Sequence, residues 1–226
     1  MGRAFDPGEI WTLTFDCYGT LIDWRSGVRD AVAAIPSLRG ADAARLVRDR
    51  ELVERELERG AYLPYAEVLA RSLSAAAREQ GFVVTEEDAR RFADSRGGWP
   101  PFAEPREHLA RLAERWQLAI LSNVETRVLE RSVRTLGAPF ELLVTAEDVR
   151  SYKPAPAHFE AALARLGVGP ERVLHVACSL YHDVRPAAAI GMRTAFVDRE
   201  GEGTPPDLAP DVTGPDLRAL VAALGA

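Results

Sequence analysis

With 226 residues, 47% of them hydrophobic and 27% charged, the chain is long enough for one large domain or for a domain carrying an insertion, with a substantial buried core either way. The 28 basic and 34 acidic residues leave a net charge of −6, and no basic run offsets it, which argues against nucleic acid or an anionic membrane as the main partner. Two cysteines, Cys17 and Cys178, are too few for a disulfide framework, and no stretch is apolar enough for a signal sequence or a bilayer span, so a reducing, cytoplasmic setting is expected.

In chain order, Trp11 to Phe15 reads as a short strand. From about Arg25 to Arg96 the pattern changes to long, charged, Ala/Leu-rich segments of helical period, clearest over Ala41–Arg59, Pro64–Gln80 and Thr85–Ala93, with Gly60 and Gly81 as stop signals. Beyond RGGWPPF (Arg96–Phe102) helices and strands alternate. Helices are expected over Glu104–Trp116, Glu125–Leu136, Pro156–Leu166 and Asp183–Ile190, and strands over Leu118–Leu121, Leu142–Thr145, Val173–Ala177 and Thr194–Val197. Glu200–Pro215 reads as a Gly/Pro/Asp-rich loop before a last short helix. The implied fold class is α/β, with a Rossmann-like parallel sheet, helices on both faces and an inserted helical block. The expected division is a discontinuous core, residues 1–23 and 98–226, and an insertion, residues 24–97.

In an open parallel sheet the ligand sits beyond the carboxyl ends of the strands, so the residues following each strand form a functional survey. Asp16 with Gly19 and Thr20 follows the first strand, and Ser122–Asn123 the second. Tyr152–Lys153–Pro154 lies shortly after the third, and Cys178–Ser179 with His182–Asp183 after the fourth. Each has a plain structural alternative. Asp16 also fits an Asx turn, Ser122 with Glu125 an S-x-x-E capping box, Lys153 a solvated turn and Asp183 an N-cap. Together they supply two carboxylates, a hydroxyl with an amide, and one ammonium, the set that an ionised carboxylate nucleophile needs. Lys153 is the single lysine among 28 basic residues, which marks a place where a point charge serves and a planar guanidinium does not. His175, on an apolar strand, reads as core, and His182 as a satisfied residue at a helix start. No pair of His or Cys has zinc-ligand spacing.

The segments Asp16–Cys17–Tyr18–Gly19–Thr20–Leu21, Leu121–Ser122–Asn123, Tyr152–Lys153–Pro154 and the segment ending in Asp183 resemble, in order and spacing, the haloacid dehalogenase superfamily. Within it the chain looks most like the type II, L-2-haloacid dehalogenase branch. The resemblance implies that residues 24–97 are a helical cap and that Asp16 is a nucleophile whose carboxylate Thr20 helps to hold. It implies that Lys153 balances charge and Asp183 positions water. Ser122 and the amides after Asp16 would hold the substrate carboxylate, Asn123 and Arg48 would cradle the halide, and Tyr18, Tyr65 and Phe102 would line the pocket. A homodimer and a small 2-halocarboxylic acid substrate, with halide as product, are implied on the same basis. The chain departs from the branch at Cys178 and Leu180, which stand in place of Ser and Asn, and at Phe159, which stands in place of Tyr.

Most superfamily members transfer phosphoryl groups. They place a second Asp two residues after the nucleophile, as acid and base for the leaving oxygen, and use Mg²⁺ held by carboxylates. Here Tyr18 occupies the first position, and Ala177–Cys178–Ser179 lacks the metal-binding Asp. The expected activity is therefore metal- and cofactor-independent hydrolysis of a 2-haloacid through an ester on Asp16. The competing readings are a Mg²⁺-dependent phosphatase and a non-catalytic binding protein.

Overall fold

The computed structural model describes residues 5–226. Six parallel strands form one sheet: β1 (Thr12–Phe15), β2 (Gln117–Ser122), β3 (Phe140–Thr145), β4 (Val173–Ala177), β5 (Arg193–Val197) and β6 (Val212–Gly214), in the spatial order β3-β2-β1-β4-β5-β6. Every residue of β1 is buried, as expected for a central parallel strand covered on both faces. Alternation of side chains divides the core in two. Leu13, Phe15, Leu118, Ile120, Leu174 and Val176 point to the face covered by α5 (Pro105–Ala113), α6 (Thr126–Leu136) and the C-terminal helix Leu217–Leu224. Leu121, Val144 and Val173 point to the face covered by the helices Ala157–Leu166 and Arg185–Ala189.

Between β1 and α5 run four further helices: α1 (Trp24–Ala33), α2 (Ala43–Glu58), α3 (Tyr65–Glu79) and α4 (Glu86–Ser95). Asp23, Asp42 and Thr85 cap α1, α2 and α4 by accepting from backbone N–H groups three residues on. Leu46, Leu69, Leu73, Ala76 and Phe92 of this block belong to the same apolar cluster as Phe15 and Leu13, so the helices are packed onto the sheet half.

The chain turns outward from β1 to β2 and β3, then returns to the other side of β1 for β4. The strand order therefore reverses between β1 and β4, the position at which ligand crevices open in such sheets. Three elements differ from the expectation. The tail contains β6, whose three residues are too few for a visible alternation. Asp183 does not cap a helix: it lies in a single wide π-helical turn, Leu180–Val184, ahead of Arg185–Ala189. The Ser122–Glu125 capping box does not form. Glu125 instead accepts from Ala66 N–H (2.7 Å) and Arg96 (2.5 Å), joining the helical block to the start of α6.

Candidate active site

The first turn after β1 is built around Asp16. Its N–H donates to Val176 O of β4 (3.0 Å), while Leu21 and Ile22 N–H both return to Cys17 O. The turn needs Gly19: its φ is +103°, and a Cβ there would lie 2.7 Å from Cys178 Sγ. The same turn brings Thr20 Oγ1 back to donate to Asp16 Oδ2 (2.8 Å) and to accept from Cys178 N–H (3.0 Å). Thr20 thus ties the Asp16 loop to the end of β4.

Lys153 is buried and all three ammonium protons have acceptors: Asp16 Oδ1 (2.9 Å), Asp183 Oδ1 (2.5 Å) and Leu121 O (2.8 Å). Three converging acceptors around one nitrogen suit an ammonium, and a planar guanidinium cannot reproduce them. That gives the lone lysine its physical reason. Asn123 grips the same residue by its backbone, with Oδ1 accepting from Lys153 N–H (2.7 Å) and Nδ2 donating to Lys153 O (3.1 Å).

The electrostatics differ between the two carboxylates. Burial pushes Asp16 up, and Lys153 and Thr20 only partly offset this. Burial acts on Asp183 too, but the Lys153 ammonium and His175 more than reverse it and hold Asp183 well below the usual carboxylate range. Lys153 is penalised by burial, yet the two carboxylates raise it above an ordinary lysine. The consequences for pH have opposite signs. Asp183 contributes stability above its unfolded value of about 3.9, and that contribution is lost as pH falls. Lys153 contributes below about 10.4, and its contribution is lost as pH rises through its raised folded value. Asp16, being raised, loses its proton at a higher pH than an ordinary Asp. A reaction that needs the Asp16 carboxylate ionised is therefore expected to show an acidic limb in kcat/KM above the ordinary aspartate value of about 3.9. A pH–rate profile of the wild-type protein checks this.

A cavity of about 450 Å³ opens between the strand ends and the helical block. Of the expected site residues, Asp16, Tyr18, Tyr65, Phe102, Ser122, Asn123, Lys153 and Asp183 line it. Thr20 is buried behind Asp16. Arg48 is a correction. It is exposed on α2 and does not reach the cavity, whereas Arg50 is 2% exposed and does. Two residues turn a helix through about 200°, so only one of the pair can face inward, and the buried stripe Leu46–Arg50–Glu54 decides which. Arg50 pairs with Glu54 (2.6 Å), which also accepts from Tyr65 OH.

Tyr18 OH lies 2.8 Å from Ser132 Oγ, and burial raises the phenol far above its ordinary value. Trp99 packs edge-on against its ring at 5.9 Å. Burial likewise pushes the Cys178 thiol up to about 12. A protonated, soft thiol beside an Asp183 oxygen already taken by Lys153 and His175 does not suit a hard divalent cation, and the described residues contain no cluster of three or more His, Cys, Asp or Glu able to hold a metal. Among the described residues no helix is long and apolar enough to cross a membrane.

Sequence reasoning missed Arg50, Glu54 and His175. It also missed Glu58, a carboxyl raised by burial that lies 3.6 Å from His182 Nε2. The i, i+4, i+8 line from Leu46 was the available signal for Arg50 and Glu54. His182 Nδ1 meets Ser179 Oγ at 3.1 Å, but its buried Nε2 has no hydrogen-bond partner among the described residues, so the expectation of a satisfied residue holds at one nitrogen only.

Residues 10–191 match the family model of the haloacid dehalogenase-like hydrolases. The chain belongs to that family. Among relatives of this hydrolase, haloacetate dehalogenase H-2 of Moraxella sp. (strain B) is 31% identical over 94% of this chain and 97% of its own length. Phosphoserine phosphatase of Thermus thermophilus is 34% identical, but over 58% of this chain and 54% of its own. Among solved structures, the L-2-haloacid dehalogenase from Xanthobacter autotrophicus superposes with a TM-score of 0.79 at 25% identity, covering 95% of this chain and 98% of that one. The α/β fold with its parallel six-stranded sheet is therefore that of the haloacid dehalogenase-like hydrolases.

Proposed function

We propose that this hydrolase removes halide from small 2-haloacids, haloacetate or an L-2-haloacid, giving the 2-hydroxy acid through an ester on Asp16. The observation that carries the reading is at Tyr18. The position from which a leaving oxygen would be protonated holds a partly buried phenol, raised far above its ordinary value and bonded to Ser132. A halide leaves as a stable anion and needs no proton. The dehalogenase relative matched over nearly its whole length supports the same reading.

In this mechanism residues 24–97 act as a cap over a core formed by 1–23 and 98–226. Ser122 and the N–H groups after Asp16 hold the substrate carboxylate, and the rings of Tyr18, Tyr65 and Phe102 wall the pocket. Asp16 attacks the halogen-bearing carbon in line, the carbon–halogen bond breaks, and the centre inverts. Holding the reacting atoms in line contributes up to roughly 7–11 kcal/mol of the barrier reduction. Asn123 has a second N–H to offer the halide. Arg50, which lines the cavity where Arg48 does not, takes the place expected of Arg48. Water held by Asp183 then attacks Cγ of Asp16 and frees the product.

The competing reading is a phosphatase, favoured by the partial match to phosphoserine phosphatase. Halide release from chloroacetate, fluoroacetate and L-2-chloropropionate, with and without EDTA, is measured beside phosphate release from phosphoserine and an aryl phosphate. EDTA-insensitive halide release is expected. EDTA-sensitive phosphate release without halide would establish the phosphatase, and inactivity on every substrate would favour a binding protein.

A further inference from the structure

His175 is fully buried, and none of the steps above uses it. β1 and β4 pair in parallel with Thr14 opposite His175, so both side chains leave the sheet on the same face. There Thr14 Oγ1 lies 2.9 Å from His175 Nδ1, and His175 Nε2 lies 3.0 Å from Asp183 Oδ1. Phe159 closes on the imidazole edge-to-face, with centroids 5.2 Å apart and planes at 82°. The ring is therefore held at both nitrogens and on its face.

Asp183 Oδ1 receives two donors, Lys153 Nζ and His175 Nε2–H, whereas Oδ2 has no hydrogen-bond partner among the described residues of a side chain that lines the cavity. An ionised Asp183 accepts from Nε2–H. In the neutral ring Nδ1 is then an acceptor for the Thr14 hydroxyl, and in the charged ring it donates to Thr14 Oγ1; Nε2–H meets Asp183 in both. We infer that His175 is a positioning residue for the second half-reaction: it fixes the rotation of the Asp183 carboxylate so that Oδ2 faces the water that cleaves the Asp16 ester. The inference rests on the ester reading of the site. In the step it serves, Oδ2 takes one proton from water as the water oxygen bonds to Asp16 Cγ. The bond from Cγ to the alkyl oxygen breaks, and the departing alkoxide takes the proton from Asp183. Asp16 returns as carboxylate and one proton goes to solvent. Lys153 touches both carboxylates and serves both half-reactions, whereas His175 touches Asp183 alone.

The roles separate in time. In rapid-quench halide release with intact-protein mass measurement, His175→Phe is expected to keep a fast first turnover of one halide per site. Steady-state kcat should then fall at least tenfold, with the ester accumulating on Asp16. His175→Gln, which keeps a side-chain N–H donor, should recover part of the rate, and Thr14→Val should show the same burst in weaker form. Thermal midpoints of all three are read in parallel; if His175→Phe does not fold, the Gln and Val variants decide. A first turnover that slows together with kcat and leaves no ester would overturn the inference, as would unchanged kinetics. A wild-type protein releasing halide with none of the three variants accumulating ester contradicts the role of His175 alone. A wild-type protein releasing no halide contradicts the dehalogenase reading itself.

Discussion

Asp16→Asn is expected to abolish halide release, with a fall of roughly 10³-fold or more, because the amide is a poor nucleophile. The fold should survive the change. Asn has the shape of Asp, Thr20 Oγ1 can still donate to its Oδ1, and Lys153 keeps Asp183 and Leu121 O as acceptors. Removing a carboxylate whose ionised form burial disfavours should leave the thermal midpoint unchanged or slightly higher near neutral pH. The decisive pattern is thus activity lost and stability kept, read by steady-state halide assay beside thermal denaturation. A variant that unfolds would instead mark Asp16 as a structural turn residue.

Lys153→Met should behave differently, losing both activity and stability. Among the described residues no arginine or second lysine is in hydrogen-bond contact with the two buried carboxylates, and removing Lys153 takes away the ammonium that both share. Breaking a buried ion pair from one side costs about 3–5 kcal/mol. Part of that cost should be recovered at acid pH, where Asp16, the more easily protonated of the two, becomes neutral. Denaturant unfolding at pH 7.5 and at pH 4.5 measures both effects, and the variant should lose less stability relative to wild type at the lower pH. Lys153→Arg should restore charge without restoring turnover, because the guanidinium cannot direct three donors from one nitrogen at Asp16, Asp183 and Leu121 O. Wild-type turnover in Lys153→Arg would show that the point charge is incidental.

The strand ends were the most readable part of the molecule. A parallel sheet aligns its carboxyl ends, so polar residues after successive apolar runs converge even though Asp16 and Lys153 are 137 positions apart. Tyr18 and Cys178 were informative for a related reason: each occupies a position where the alternative chemistry requires a carboxylate. What stayed hidden depended on phase and register. Arg48 and Arg50 sit in an equally charged stretch, and only the packing of Leu46 selects the helix face. His175 lies within VLHVA and reads as core until β1 and β4 are paired and Thr14 is found opposite. Glu125 has the spacing of a capping box, yet the helical block offers its carboxylate the stronger partners Arg96 and Ala66 N–H. Asp183 escaped correct placement because the π-helical turn carrying it has no sequence signature of its own.

The central claim is that substrate becomes esterified to Asp16. A single turnover in H₂¹⁸O, with enzyme in excess over a 2-haloacid, tests it most directly. Water attacks Cγ of Asp16 in this mechanism, so the label should enter the Asp16 carboxylate, located by mass measurement of the peptide containing TFDCYGTLID, and the 2-hydroxy acid should be unlabelled. Label in the product hydroxyl, with none in Asp16, would mean that water displaces the halide directly, and Asp16 would then be a base and not a nucleophile.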